Sequence, residues 1–241
     1  MARKGIMTDK TIESEFLQEE MVVKIYRPEK FDSLYENHVC IMQDGDDYFQ
    51  LGRVATVSDR LHEEEEIVNV TFIGIHYIDR FDRLKKYHPD GEQFGAYIDF
   101  LVKEVVPLAD EYLPINPLGT VRTLMGDSLA GTIALISALR HPDVFHKVIM
   151  QSPLVDEAVI RAAKQCDDVG GLDVYHSIGL KETAVPTTKD GRVDFLGPNR
   201  QLSEILQERL TSYHFHELAE GNHTWKFWQK ELPEALSTML Y

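Results

Sequence analysis

Apolar residues along this chain follow two periods in turn: short β-branched and aromatic runs, then stretches with apolar positions three or four residues apart. Thr11 to Leu17 and Met21 to Tyr26 read as two strands about the polar turn Gln18-Glu19-Glu20, an antiparallel hairpin at a sheet edge. His38 to Met42 is a short buried strand ending at Gln43-Asp44-Gly45, and Ile67 to Ile75 is strongly β-prone. Leu51 to Leu61 reads as helix, and residues 76 to 91 as an irregular charged connection. Phe94, Ile98, Leu101, Val102, Val105 and Leu108 lie at helical spacing within Glu92 to Glu111, which Pro114 and Pro117 stop. Four strands follow, Val121 to Met125, Lys147 to Gln151, Leu172 to Ile178 and Tyr213 to Leu218. Helices at Leu129 to Leu139, Asp156 to Gln165 and Asn199 to Leu210 separate them, and a last helix starts near Trp225. Alternation of this kind predicts right-handed crossovers and a mostly parallel sheet with an antiparallel N-terminal edge and helices on both faces. Chemistry on such sheets gathers at the carboxyl ends of the strands, so the loops after residues 43, 126, 179 and 219 should converge.

Composition narrows the class without changing this architecture. The 241 residues are 43% hydrophobic, enough for one α/β domain spanning 1–241 with no large lid. A net charge of −15 repels phosphate backbones and anionic lipid, so neither a nucleic-acid nor a membrane partner is expected. The N-terminus shows no signal-peptide pattern, and no segment has the length and apolarity of a span, which predicts a cytoplasmic protein. Two scattered cysteines make no disulfide framework; Cys40, inside Val39-Cys40-Ile41-Met42, reads as a small core residue.

The sharpest chemical signal is Gly126-Asp127-Ser128-Leu129-Ala130-Gly131, between a strand and a helix. It is a variant of Gly-x-Ser-x-Gly. Small residues at 126 and 130 let strand and helix approach, and the sharp turn exposes the serine oxygen beside free amides at a helix start. Ser128 is the candidate nucleophile. A serine hydroxyl needs a base, and His223, in the turn Gly221-Asn222-His223 after the last strand, stands where the order serine–acid–histidine requires one. The acid must fall between them, beyond Ile178. Glu182, nearest the strand end, is the first candidate and Asp194 the alternative, while Asp190 is accounted for by a Lys-Asp-Gly turn. The oxyanion donors expected are the backbone N–H groups of Leu129 and, from the loop after Met42, of Asp46. Tyr77, Arg80, Arg83, Tyr87 and His88 are candidates to line the pocket. Asp44, Asp46, Asp47 and Asp127 fall beside the site, so a negative mouth favouring neutral or cationic substrates is expected.

These segments resemble the putative-esterase branch of the α/β-hydrolases, which includes enterochelin esterases, esterase D, feruloyl esterases and mycolyltransferases. The likeness lies in Gly126 to Gly131, His141-Pro142-Asp143-Val144-Phe145, Ser152-Pro153, Asp44-Gly45-Asp46, and Glu220-Gly221-Asn222-His223 with the aromatic helix start behind it. It spans roughly residues 37 to 240. Two positions depart from the common pattern: Ala130 stands where many members have Gly, and Glu182 where the branch often has Asp. The resemblance implies an α/β-hydrolase fold, a small-molecule ester as substrate, an acyl-enzyme on Ser128, and no metal or organic cofactor. Acyl transfer or thioester cleavage by the same residues, or a catalytically silent binding protein, are the alternatives it leaves.

Overall fold

The computed structural model describes residues 3–29, 37–112, 119–166, 169–188 and 191–241. Eight strands form one sheet in the order β1-β2-β4-β3-β5-β6-β7-β10. β1 (Ile6–Ser14) and β2 (Glu19–Arg27) pair antiparallel, and β2 runs antiparallel to β4 (Asn69–Ile75). All pairings from β4 through β3 (Asn37–Met42), β5 (Val121–Asp127), β6 (Lys147–Gln151), β7 (Asp173–Gly179) and β10 (Ser212–Leu218) are parallel. This is the α/β-hydrolase architecture. Every residue of β4 is buried, with Val70 and Phe72 in one core and Ile73 and Ile75 in the other, as a strand covered on both faces must be. α2 (Val54–Glu63) and α9 (Trp225–Met239) cover one face. The other carries α3 (Arg80–Tyr87), α4 (Phe94–Phe100), α5 (Val106–Tyr112), α6 (Ser128–Arg140), α7 (Glu157–Gln165) and α8 (Leu196–Arg209).

Strand order positions the site. The chain runs from β3 outward to β4, then returns across β3 to β5. The loops leaving β3 and β5 therefore diverge from adjacent strand ends and open a crevice, the place where ligands bind on such sheets. Glycine makes the crevice floor compact. A Cβ on Gly45 would lie 2.3 Å from the Gly74 Cα, so the start of α1 (Gly45–Gln50) can sit on β4 only without side chains there.

Several elements differ from the sequence expectation. The first hairpin turns at residues 15–18 rather than 18–20, with Gln18 in the left-handed region at φ 58° and its N–H on the Ser14 carbonyl. The helix expected at Leu51 to Leu61 is α2, which starts at Val54, and the separate short helix α1 precedes it. The long helix from Phe94 contains a π-helical turn at Leu101–Val105. Pro114 and Pro117, its expected stop, lie outside the described residues, as does Asp190. The region read as irregular holds α3, capped by the Asp79 carboxylate, which accepts from the Phe81 and Asp82 amides. The loop after Ile178 carries a small hairpin, β8 (Val185–Thr187) and β9 (Gly191–Val193). Cys40 is fully buried, and that burial pushes its thiol well up. Among the described residues no helix is long and apolar enough to cross a membrane.

Candidate active site

β5 ends at Asp127 and α6 begins at Ser128, so the chain reverses within one residue. Ser128 takes φ 50°, in the left-handed region that costs a non-glycine residue roughly 1–2 kcal/mol. The turn is tight because Gly126 permits it: a Cβ there would lie 2.3 Å from the carbonyl carbon and oxygen of Ala130. The next loops are joined to each other. The Leu180 N–H donates to the Leu218 carbonyl at 3.0 Å, and the Lys181 N–H to the Gly221 carbonyl at 3.1 Å. Gly179 faces Gly221 so closely that a Cβ on Gly179 would sit 2.4 Å from the Gly221 carbonyl carbon. The ends of β7 and β10 are thus held in contact, and each projects one functional side chain toward Ser128.

His223 Nε2 lies 2.9 Å from Ser128 Oγ, and His223 Nδ1 lies 2.6 Å from Glu182 Oε2. Glu182 is 1% exposed; its other oxygen, Oε1, accepts from the Gly179 N–H at 2.9 Å and the Ser152 hydroxyl at 2.7 Å. The Trp228 indole N–H donates to Ser152 Oγ at 3.1 Å, which completes a hydrogen-bonded line from α9 to Ser128. A carboxylate that can only accept places the imidazole proton on Nδ1 and leaves the Nε2 lone pair for the serine hydroxyl. The rings of Phe195 and Trp228 pack edge-on against the imidazole at 4.6 and 4.9 Å, which fixes its plane. Asp194, the alternative acid, is elsewhere. It is exposed and caps the start of α8, accepting from the Leu196 and Gly197 amides.

Behind the serine lies a buried charge cluster. Arg83 Nε and Nη2 both reach Asp44 Oδ2, at 2.7 and 2.6 Å, and Nη2 also donates to the Asp127 carbonyl at 3.2 Å. Arg83 thereby ties the loop after β3 to the loop after β5. Burial, then the nearby Asp44 charge, pushes the Asp127 carboxyl well above the usual carboxylate range. Burial raises the Asp44 carboxyl as well, and the Arg83 charge and hydrogen bond oppose that rise. Removing Arg83 would strand Asp44 as a buried carboxylate without a partner. Arg83→Met is expected to lose about 3–5 kcal/mol in urea unfolding, whereas an exposed control such as Lys85→Met should change little.

A cleft of about 110 Å³ opens beside Ser128, and its walls include Arg80, Arg83, His88, Leu129, Thr187 and Thr188. Of the expected pocket residues, Arg80, Arg83 and His88 are there. Tyr87 is instead fully buried core, and Tyr77 donates to Asp47 at 3.2 Å. The acidic mouth expected from the sequence is not what lines the cleft. Asp44 and Asp127 are buried, and among the described residues no Asp or Glu contributes to the wall. Leu129 lies in the first turn of α6 and Asp46 in the first turn of α1, positions whose N–H groups have no partner within the helix. Among the described residues, His88, Asp90 and Asp156 bring potential metal-ligating atoms within 4.8 Å of one another. Both imidazole nitrogens are engaged, Nδ1 accepting from the Asp90 N–H at 3.1 Å and Nε2 facing Asp156 Oδ2 at 3.3 Å, so this group reads as a tie between α3 and α7. Sequence reasoning missed Ser152 and Trp228 as supports of Glu182; Ser152, at φ 47°, is strained as Ser128 is.

Comparison with known proteins agrees with this geometry. Residues 14–239 match the model of the family described as "Putative esterase". A Bacillus subtilis (strain 168) protein named "Uncharacterized protein YjcH" is 43% identical over 238 residues, covering 99% of each chain. Among solved structures, the enterochelin esterase of Shigella flexneri superposes with a TM-score of 0.80 at 18% identity over 98% of this chain. This chain spans only 59% of that enzyme's length. The BES protein of Bacillus cereus superposes with a TM-score of 0.79 at 18% identity, over 100% of this chain and 98% of that one. At such identities the two superpositions speak for the fold, and the family match speaks for the activity. The chain belongs to the "Putative esterase" family and is a carboxylic-ester hydrolase on the α/β-hydrolase fold.

Proposed function

We propose that residues 1–241 act as one catalytic unit, without a large lid, that cleaves its ester through a covalent acyl-enzyme on Ser128. The observation that carries this reading is the continuous line Ser128–His223–Glu182, with hydrogen-bond distances of 2.9 and 2.6 Å, at one end of the sheet and beside an open cleft. His223 Nε2 takes the hydroxyl proton as Ser128 Oγ adds to the ester carbonyl. Glu182 keeps the imidazole in the required tautomer and stabilises its cationic form. The amides of Leu129 and Asp46 hold the oxyanion, as helix-start N–H groups do. The tetrahedral adduct then collapses, the bond to the alcohol oxygen breaks, and the proton on Nε2 goes to the leaving alcohol. Water, deprotonated by the same nitrogen, cleaves the acyl-enzyme. The products are one acid, one alcohol and free enzyme.

Two-step chemistry has a kinetic signature. Short p-nitrophenyl esters should give a burst of p-nitrophenol equal to the enzyme concentration before steady turnover, provided deacylation is the slower step. A thiol- or metal-dependent hydrolysis that leaves Ser128 unmodified during turnover would overturn the reading.

A further inference from the structure

The chain carries 40 acidic and 25 basic residues, yet among the described residues the cleft beside Ser128 is walled by two arginines and a histidine and by no carboxylate. Two of these three groups are already committed. Arg83 is bound to Asp44 at 2.6 Å, and His88 faces Asp156 at 3.3 Å. Arg80 is different. It is the first residue of α3, it is exposed, and among the described residues no carboxylate pairs with its guanidinium, which lies over the Phe81 ring with Cζ 4.8 Å from the centroid. Thr187 and Thr188, from the β8–β9 hairpin, also line the cleft.

We infer that this cleft selects esters carrying a carboxylate on the acyl or the alcohol part, with Arg80 as the residue that recognises it. A guanidinium presents donors in a planar fork that matches a carboxylate, and it is less strongly hydrated than an ammonium. Among the described residues no carboxylate of the wall occupies that fork. The stack on Phe81 limits the directions in which it can point, which reduces the ordering cost of binding. Arg80 thus places a charge in the wall opposite in sign to the net charge of the whole molecule. At moderate ionic strength the distant negative charges are screened while the cation in the cleft is not. The inference rests on the hydrolase reading above and adds the substrate class to it.

The test uses two matched pairs of substrates on the intact protein. Mono-p-nitrophenyl adipate against p-nitrophenyl hexanoate places the charge on the acyl side. p-Acetoxybenzoate against its methyl ester places it on the alcohol side. In at least one pair kcat/KM for the anionic ester is expected to exceed that for the neutral one by about tenfold, the size of one hydrogen-bonded charge pair near a surface. Arg80→Gln should bring that ratio close to one, and Arg80→Lys should restore part of it. A neutral preference in both pairs, or an anionic preference that Arg80→Gln leaves intact, overturns the inference while leaving the hydrolase reading standing. No turnover of any of the four esters overturns both.

Discussion

Ser128→Ala is expected to fold normally and to lose on the order of a million-fold in kcat, the size of loss seen when the nucleophile of a serine protease triad is removed. The loss is large because the serine and the histidine act as one unit. Without Oγ, His223 has no proton to take, and what remains is the acceleration given by binding and by the oxyanion donors. Stability should barely change. Alanine tolerates φ 50° about as poorly as serine does, and the hydrogen bond the substitution deletes is the one to His223. The Glu182–His223 pair and the rings of Phe195 and Trp228 hold the imidazole in place regardless. An unchanged melting temperature alongside lost turnover separates a chemical role from a structural one. Full activity in Ser128→Ala would remove the serine from the mechanism.

Glu182→Gln is expected to cost up to about ten-thousand-fold in kcat with the fold retained. The physical reason lies in the donors around the carboxyl group. Gly179 N–H and Ser152 O–H both point at Oε1, so a glutamine would turn its carbonyl oxygen to them and its NH₂ to His223. Nδ1 must then accept, the ring proton moves to Nε2, and the nitrogen facing Ser128 becomes a donor. The base is disabled by tautomer as well as by lost charge. Asp194→Asn should cost little, because asparagine caps a helix as well as aspartate does and Asp194 already caps α8. The assignment fails if the two variants rank the other way. If both are mild, the enzyme works as a Ser128–His223 dyad.

What the sequence revealed follows from which forces are local. The strands of β-branched and aromatic residues, such as Ile67 to Ile75, and the small-residue turn at Gly126 to Gly131 are set by propensity and sterics within a few residues, and both were legible. The charged helix α3 was not. Its sequence, Arg-Phe-Asp-Arg-Leu-Lys-Lys-Tyr, has no wide apolar stripe, and it is held instead by long-range ion pairs. Lys86, 1% exposed, bridges Asp82 and Glu19, and Arg83 reaches Asp44. That single helix turns the site from acidic to basic: it neutralises Asp44 and brings Arg80 to the cleft. A signal for its start was present in Asp79, a capping residue two positions before Phe81. A signal against Asp194 was present too. Placing the start of α8 at Leu196 instead of Asn199 would have put Asp194 next to that start, where its carboxylate accepts from the first amides. The supports of Glu182 lie outside any local reading, because Ser152 is 30 residues and Trp228 is 46 residues away from it in sequence.

The most direct measurement is covalent labelling with a fluorophosphonate, followed by peptide mapping. The account predicts one adduct per chain, on Ser128, formed with the wild-type protein, strongly slowed in His223→Ala and absent in Ser128→Ala. A wild-type protein that stays unlabelled under conditions where it hydrolyses esters, or an adduct that persists in Ser128→Ala, would contradict it.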